Sequence, residues 1–398
     1  MKKIIFALCA SLLTSTALQA QKPKRVATIG FYNVENLFDI HESADYIDGT
    51  LPTSSPKYHR SVPVDSLQYL EYDASFKGPW TPEAIKGKKV VRFQGSATEF
   101  TPKSAKNYNE KIYNKKLENA SKVISELGSQ YTKSVPVVVG LLEIENRQVV
   151  EDLVKQPALA RFDFGVAHYN SLDYRGVDVA LIYQKRRFTP TNTIKKEVKI
   201  FDVETGRREY TRDILVVSGV LDGEEVAFFV NHWPSRRGGE AVSMPKRKAA
   251  ATMLREQMDS IRTAEPNRIL IAMGDFNDDP ISPSFKQNLK AVGSEKELSE
   301  QTPYLNLMFP LYKKGFATLA YRDAPNLFDQ IIVSKNLIEN KDPKKYSIFT
   351  TQIYSPPYLV NKSGNYKGYP LRSWNGDVFT GGYSDHFPVF TILAKDLE

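Results

Sequence analysis

The sequence contains a single cysteine, Cys9, and it falls in the first twenty residues. A chain trimmed of that segment would carry no thiol and could form no disulfide, so its stability must come from a packed core, helped by metal if one binds. After residue 20 no apolar run is long enough to span a bilayer, which disfavours a membrane-bound structural protein. Internal repeats and low-complexity tracts are absent as well. With 398 residues, 41% hydrophobic and 25% charged, the chain can bury one large core or two modest ones, and global disorder is excluded.

Residues 1–20 read as a secretory signal: Lys2 and Lys3, an apolar run from Ile4 to Leu13, and a small polar end at Ala20. Leu18, at the third position before a cut between Ala20 and Gln21, is larger than the residue type preferred there, which leaves an uncleaved anchor as the alternative. Export to the periplasm or beyond is the expectation. The formal charge of +8 falls to +6 once Lys2 and Lys3 are removed, because residues 1–20 hold no acid. That sign favours polyanionic partners without identifying them.

Short runs rich in β-branched residues recur at Val26 to Phe31, Val135 to Leu142, Val177 to Tyr183, Ile214 to Leu221, Val226 to Val230, Ile269 to Met273, Ile331 to Val333 and Val389 to Leu393. Helical spacing links Leu117, Ala120, Ile124 and Leu127 ahead of a stop at Gly128. It also links Ala250, Leu254, Met258 and Ile261, with Pro245 in the first turn. Strands outnumber helices and several follow one another directly, so two packed sheets flanked by helices fit better than a strict α/β alternation. The expected organisation is one domain over 21–398 with long insertions near 41–108 and 340–383.

Polar residues stand at the carboxyl ends of these runs: Asn33 and Glu35, Glu143, His232, then Asp275 and Asn277. Each has an ordinary explanation. Glu143 would open a helix, Gly274 to Pro280 would be a turn, Asp385 and His386 a cap and a satisfied histidine, and His232 a core or rim histidine. Strands aligned at one rim would instead bring them into one cleft.

Taken in order, Phe31-Tyr32-Asn33-Val34-Glu35-Asn36, Leu142-Glu143, Asn231-His232, Gly274-Asp275-Phe276-Asn277, Phe328-Asp329-Gln330 and Ser384-Asp385-His386 resemble the motif set of the endonuclease/exonuclease/phosphatase superfamily. The resemblance spans roughly residues 25 to 395. It implies the DNase I-like fold: an α/β four-layer sandwich of two packed, mostly antiparallel sheets flanked by helices. It also implies roles. Glu143 would be the main carboxylate ligand of Mg²⁺, with Mn²⁺ or Ca²⁺ as alternatives. Asn33 and Asp385 would complete that site, and Glu35 would serve a second ion. Asp275 would orient or deprotonate the attacking water, with Asn277 positioning it. His386, kept cationic by Asp329, would donate to phosphate oxygens, and His232 would clamp the phosphate or assist the leaving group.

Around this set, Arg212 is a candidate phosphate contact or a surface charge at a strand start. Arg236 and Arg237 would meet a backbone phosphate or lie in a solvated turn. Asp178, in a segment His168 to Asp178 that does not align uniquely, would need a partner if buried, for which His232 is one choice. The basic stretch Lys185 to Arg212 fits a phosphate-tracking groove or a solvated hairpin. Tyr354, Tyr358, Tyr366, Tyr369 and Trp374 would stack on bases or pack a loop. Nucleic acid is the first substrate expectation, acted on by a monomer without stable membrane association. Inositol phosphates and sphingomyelin are the alternatives within the superfamily, and a catalytically inert polyanion-binding protein is the alternative from another class.

Overall fold

A computed structural model describes residues 24–40, 44–46, 91–93, 99–171, 173, 175–201, 208–209 and 211–397. The segment read as a signal, with Cys9, lies outside the described residues, as does most of 41–98.

In chain order the principal elements are β1 (Lys24–Leu37), α1 (Glu110–Glu126), β2 (Val138–Ile144), α2 (Arg147–Val154), β3 (Phe164–His168), β4 (Asp178–Gln184), β5 (Phe188–Lys196), β6 (Ile214–Leu221), β7 (Glu224–His232), α3 (Glu240–Ala264), β8 (Ile269–Asp275), β9 (Ala291–Val292), β10 (Tyr304–Asn306), β11 (Asp329–Ser334), β12 (Ser347–Ile353) and β13 (Val389–Asp396). One sheet runs β12-β13-β1-β2-β4-β3 and the other β9-β10-β11-β8-β7-β6-β5. Most neighbours are antiparallel; the short edge pair β9 and β10 is parallel, and so, at the centre of each sheet, are the pairs β1 with β2 and β7 with β8. Those two central pairs carry their carboxyl ends to a common side.

Period-2 alternation explains the layering. Val226, Phe228 and Val230 of β7 face the core between the sheets, whereas Ala227 and Phe229 point outward under α3. In β1, Ala27, Ile29 and Phe31 face inward while Tyr32 and Val34 meet the stripe Leu117, Ala120 and Ile124 of α1. The result is helix, sheet, sheet, helix: the four-layer DNase I-like α/β fold. Among the described residues no helix is long and apolar enough to cross a membrane.

Several boundaries differ from the sequence reading. The helix α3 begins at Glu240, after Gly238 and Gly239 with φ of 81° and 111°, so Pro245 lies inside it and not in its first turn. Glu143 does not open a helix: it is a strand residue, and α2 is capped by Asn146, whose side chain accepts from Val149 N. The segment 340–383 is not all loop. It contributes the edge strand β12 and places Trp374 against Phe100 and Tyr108. Tyr354 and Tyr358 both donate to Glu126, so these rings pack the fold.

One close approach fixes the rim. A Cβ on Gly274 would lie 2.2 Å from the carbonyl oxygen of Asn231 on the neighbouring parallel strand. Backbone cannot yield there as a flexible side chain would. Gly274→Ala is expected to destabilise by about 1–3 kcal/mol in urea unfolding, with no loss if the two strands can separate freely.

Candidate active site

Two β-bulges build one half of the site. The β1/β2 register shifts between Asn33 and Leu37, and the β2/β4 register shifts between Leu142 and Ile144. At these points Glu35, Asn36 and Glu143 adopt φ of 50°, 56° and 57°. Left-handed backbone at three non-glycine residues is costly and persists only where surrounding contacts enforce it. Those contacts are present. Asn33 Oδ1 accepts from Glu35 N at 3.1 Å, and Glu143 Oε2 accepts from Asn36 N at 3.2 Å. The buried Lys116 on α1 donates to the carbonyls of Val34 and Glu35 and to Ser373 Oγ.

Both glutamates are capped by arginine. Arg175 reaches Glu143 Oε1 at 3.1 Å and Asn36 Oδ1 at 2.7 Å. Arg372 reaches Glu35 Oε1 at 3.0 Å and Asp385 Oδ2 at 3.4 Å. Burial raises the Glu143 pKa, but Arg175 overcomes it and holds the carboxylate below its ordinary value. Glu35 is different: burial, reinforced by Asp385, pushes it up to about 7 against the pull of Lys116 and Arg372.

Adjacent strand ends build the other half. In the ladder His232 lies opposite Asp275, and Asp275 opposite Asp329. Two buried carboxylates side by side repel unless a cation answers them. His386 is that cation: its Nδ1 is 2.8 Å from Asp329 Oδ2 and its Nε2 is 3.8 Å from Asp275 Oδ2. Burial works against an imidazolium here, yet the carboxylates of Asp329 and Asp275 prevail and raise its pKa well above the ordinary value. On the far side His232 Nε2 lies 3.7 Å from the same Asp275 oxygen. Burial, aided by the charges of Arg212, Arg175 and His386, drives its pKa well below the ordinary value. Asp275 thus stands between a charged and a neutral imidazole, and burial pushes it up to about 7.

The backbone N–H of Asn277, at φ of 51°, donates to Asp275 Oδ1 at 2.9 Å, while its amide donates to Trp233 O. The Gly-Asp-x-Asn segment is therefore a turn and an orienting device at once. Ser384 ties the halves together, donating to Asn33 O at 2.7 Å and accepting from His386 N.

Other expectations land elsewhere. Asp178 is buried but partnered by His168 at 3.0 Å and Ser171 N, not by His232, so it braces the start of β4. Arg236 is buried against Asn277 O, Asp278, Asp279 and Glu240, which makes it a brace of the Asp275 turn. Arg212 is not a surface charge: it is buried, bonded to Asp173 and Trp233 O. Arg237 lines a cavity beside Glu35 together with Arg175 and Arg372. Within the described part of the basic stretch, Lys185, Arg187 and Lys195 pair with Asp163, Asp222 and Asp213. Sequence reasoning missed Lys116, Arg372 and the role of Arg175, because a lone cation carries no periodic signal. The turn Asp173-x-Arg175-Gly176 was the one available cue.

Among the described residues no three His, Cys, Asp or Glu side chains form a metal cluster. The donors at the bulges, Glu143, Glu35 and Asp385, are hard oxygens at positions that already stabilise a cation. Such a sparse set suits Mg²⁺ or Mn²⁺ retaining water, and suits poorly the six to eight oxygens Ca²⁺ takes.

A model of the endonuclease/exonuclease/phosphatase family matches residues 94–395. Among solved structures, a protein of that family from Bacteroides thetaiotaomicron is 16% identical, covering 94% of this chain and 100% of its own, with a TM-score of 0.49. The mannosyl-6-phosphatase of the same organism is 14% identical over 92% and 99%, with a TM-score of 0.47. The D. rerio protein TDP2, complexed with a single-strand DNA product, is 14% identical over 70% and 92%, with a TM-score of 0.43. Curated proteins gave no match.

Because burial lifts Asp275 from 3.8 to about 7, the native state holds a proton that the unfolded state has released between those values. Its ionisation thus costs stability that grows as pH rises through that window. Asp275→Asn should stabilise the protein, and by about 2 kcal/mol more at pH 8 than at pH 5. Denaturation at the two pH values checks this, and equal effects would show that the carboxylate is not strained by burial.

Proposed function

Because the chain belongs to the endonuclease/exonuclease/phosphatase family, whose members hydrolyse phosphoester bonds, we propose that it is an exported, divalent-metal-dependent phosphodiesterase acting on DNA or RNA. The observation that carries the reading is the arrangement around Asp275: one imidazole held cationic, one held neutral, and a carboxylate with a pKa of about 7 between them. A general base works best when its pKa lies near the operating pH.

In this reading Asp275, oriented by Asn277 N–H, accepts the proton of the attacking water. His386 directs an N–H at the non-bridging oxygens, where charge builds in the transition state. His232, neutral with its Nδ1 lacking a partner among the described residues, binds the phosphate or supplies a proton path to the leaving oxygen. Glu143, with Glu35, Asn33 and Asp385 beside it, would hold a divalent ion, which when bound supplies positive charge to the phosphate. Arg175 and Arg372 neutralise the same carboxylates otherwise. Localisation in the periplasm or outside the cell rests on the Lys2-Lys3, Ile4 to Leu13 and Ala20 pattern.

The purified chain incubated with plasmid DNA and RNA in Mg²⁺ should cleave, and EDTA should abolish cleavage. His386→Gln and Asp275→Asn should each lower kcat about 10²–10⁴-fold. Cleavage indifferent to EDTA would refute the metal requirement. Release of phosphate from inositol phosphates, or of phosphocholine from sphingomyelin, without nicking would move the substrate to those classes. Silence on all of these would favour an inert polyanion-binding protein.

A further inference from the structure

Next to the bulged glutamates lies a cavity of 620 Å³ that shares Glu35, Arg175 and Arg372 with the site above and extends it toward Lys106, Arg237 and Trp374. Its size falls within the range of small-molecule sites. Four cationic side chains line it, Lys106, Arg175, Arg237 and Arg372, against two carboxylates, Glu35 and Glu99. Among the described lining residues cations outnumber acids, although Lys106, Arg175 and Arg372 each also meet a carboxylate, Asp377, Glu143 and Glu35 respectively; a concave site of that charge with low-dielectric walls concentrates anions.

The back wall is rigid. Phe100 and Trp374 are almost fully buried and pack edge to face at 6.0 Å. Lys106 is held over the Trp374 ring at 5.2 Å, with its ammonium on Gly376 O and Asp377. Arg372 remains 55% exposed despite its contacts with Glu35 and Asp385. The pocket is preformed, so little ordering opposes binding.

Arg175 joins this pocket to the reaction centre. It lines the cavity, bonds Glu143, and lies close enough to His232 for its charge to depress that imidazole. An anion in the cavity would thus sit beside a phosphate bound between the two histidines. Guanidinium groups recognise phosphate through paired N–H donors, and three of the four cations here are arginines.

We propose that this pocket binds a second phosphate of the substrate, one or two linkages from the scissile ester, so that the protein selects polyphosphorylated over singly charged esters. The inference rests on the phosphodiesterase reading and narrows it. Its test uses calorimetry of the full chain in Mg²⁺ with thymidine 3′,5′-bisphosphate and thymidine 5′-monophosphate. The bisphosphate should bind about tenfold or more tightly. In Arg237→Gln, at an exposed position, and separately in Lys106→Gln, that preference should fall to about threefold or less. Equal binding of the two nucleotides by the native chain, or a preference that survives both substitutions, overturns the proposal. Hydrolysis of bis-p-nitrophenyl phosphate, a diester with one negative charge, is followed in parallel. Its failure would count against the phosphodiesterase reading, while the binding ratio judges the pocket on its own.

Discussion

The contact between Asp329 and His386 joins the two sheets, and the electrostatics of the site depend on it. Asp329 begins β11 in one sheet, while His386 stands in the segment leading into β13 of the other, and they meet at 2.8 Å. The distance is set by how the apolar inner faces pack, so the charge of a histidine at the rim is governed by the core beneath it. Without that cation, Asp275 and Asp329 would face each other on adjacent strands with only the Asn277 N–H and the neutral His232 beside Asp275. With it, one imidazole is fixed in its charged form, and its own charge helps keep the other neutral. Opposite protonation states on two chemically identical groups are what general acid–base work requires.

The other half of the site is held by force of a different kind. Positive φ at Glu35, Asn36, Glu143 and Asn277 gathers strained backbone at one rim. The strain is offset by buried contacts: Lys116 to the carbonyls of the first bulge, arginine caps on both glutamates, and Ser384 between Asn33 and His386. Carboxylates aimed outward from strained turns and already facing cations form a site pre-shaped for positive charge. The Gly274 approach to Asn231 belongs to the same economy of space, bringing Asp275 and His232 level on neighbouring strands.

Much of this was legible in the sequence, for identifiable reasons. Central strands such as β7 and β8 are covered on both faces and so read as unbroken apolar runs. The edge strands β5 and β12 did not stand out, because many of their residues face water and sequences such as Phe188-Thr-Pro-Thr-Asn-Thr serve as well as apolar ones, and β3, though buried, is only five residues long. The ordered set of Asn, Glu, His, Asp and Asp-His landmarks was readable, since each sits beside an apolar run at the end, the start or the bulge of a strand. What each landmark touches was not. Asp178 with His168, and Arg236 with the Asp275 turn, depend on tertiary neighbours that no spacing encodes. Lys116, Arg175 and Arg372 come from a helix face, a turn and a long loop, and converge only after folding.

The pH dependence of kcat/KM on a small phosphodiester, compared between the native chain and Asp329→Asn, tests the central claim most directly. With Asp329 in place the rate should rise as Asp275 ionises near pH 7 and fall only at alkaline pH, where His386 loses its proton. Removing the Asp329 charge should bring the alkaline fall to lower pH and, because Asp329 also helps raise the Asp275 pKa, move the rising limb in the same direction by less. An alkaline limb that does not move would contradict the account, because His386 would then owe its charge to something other than the contact that joins the sheets.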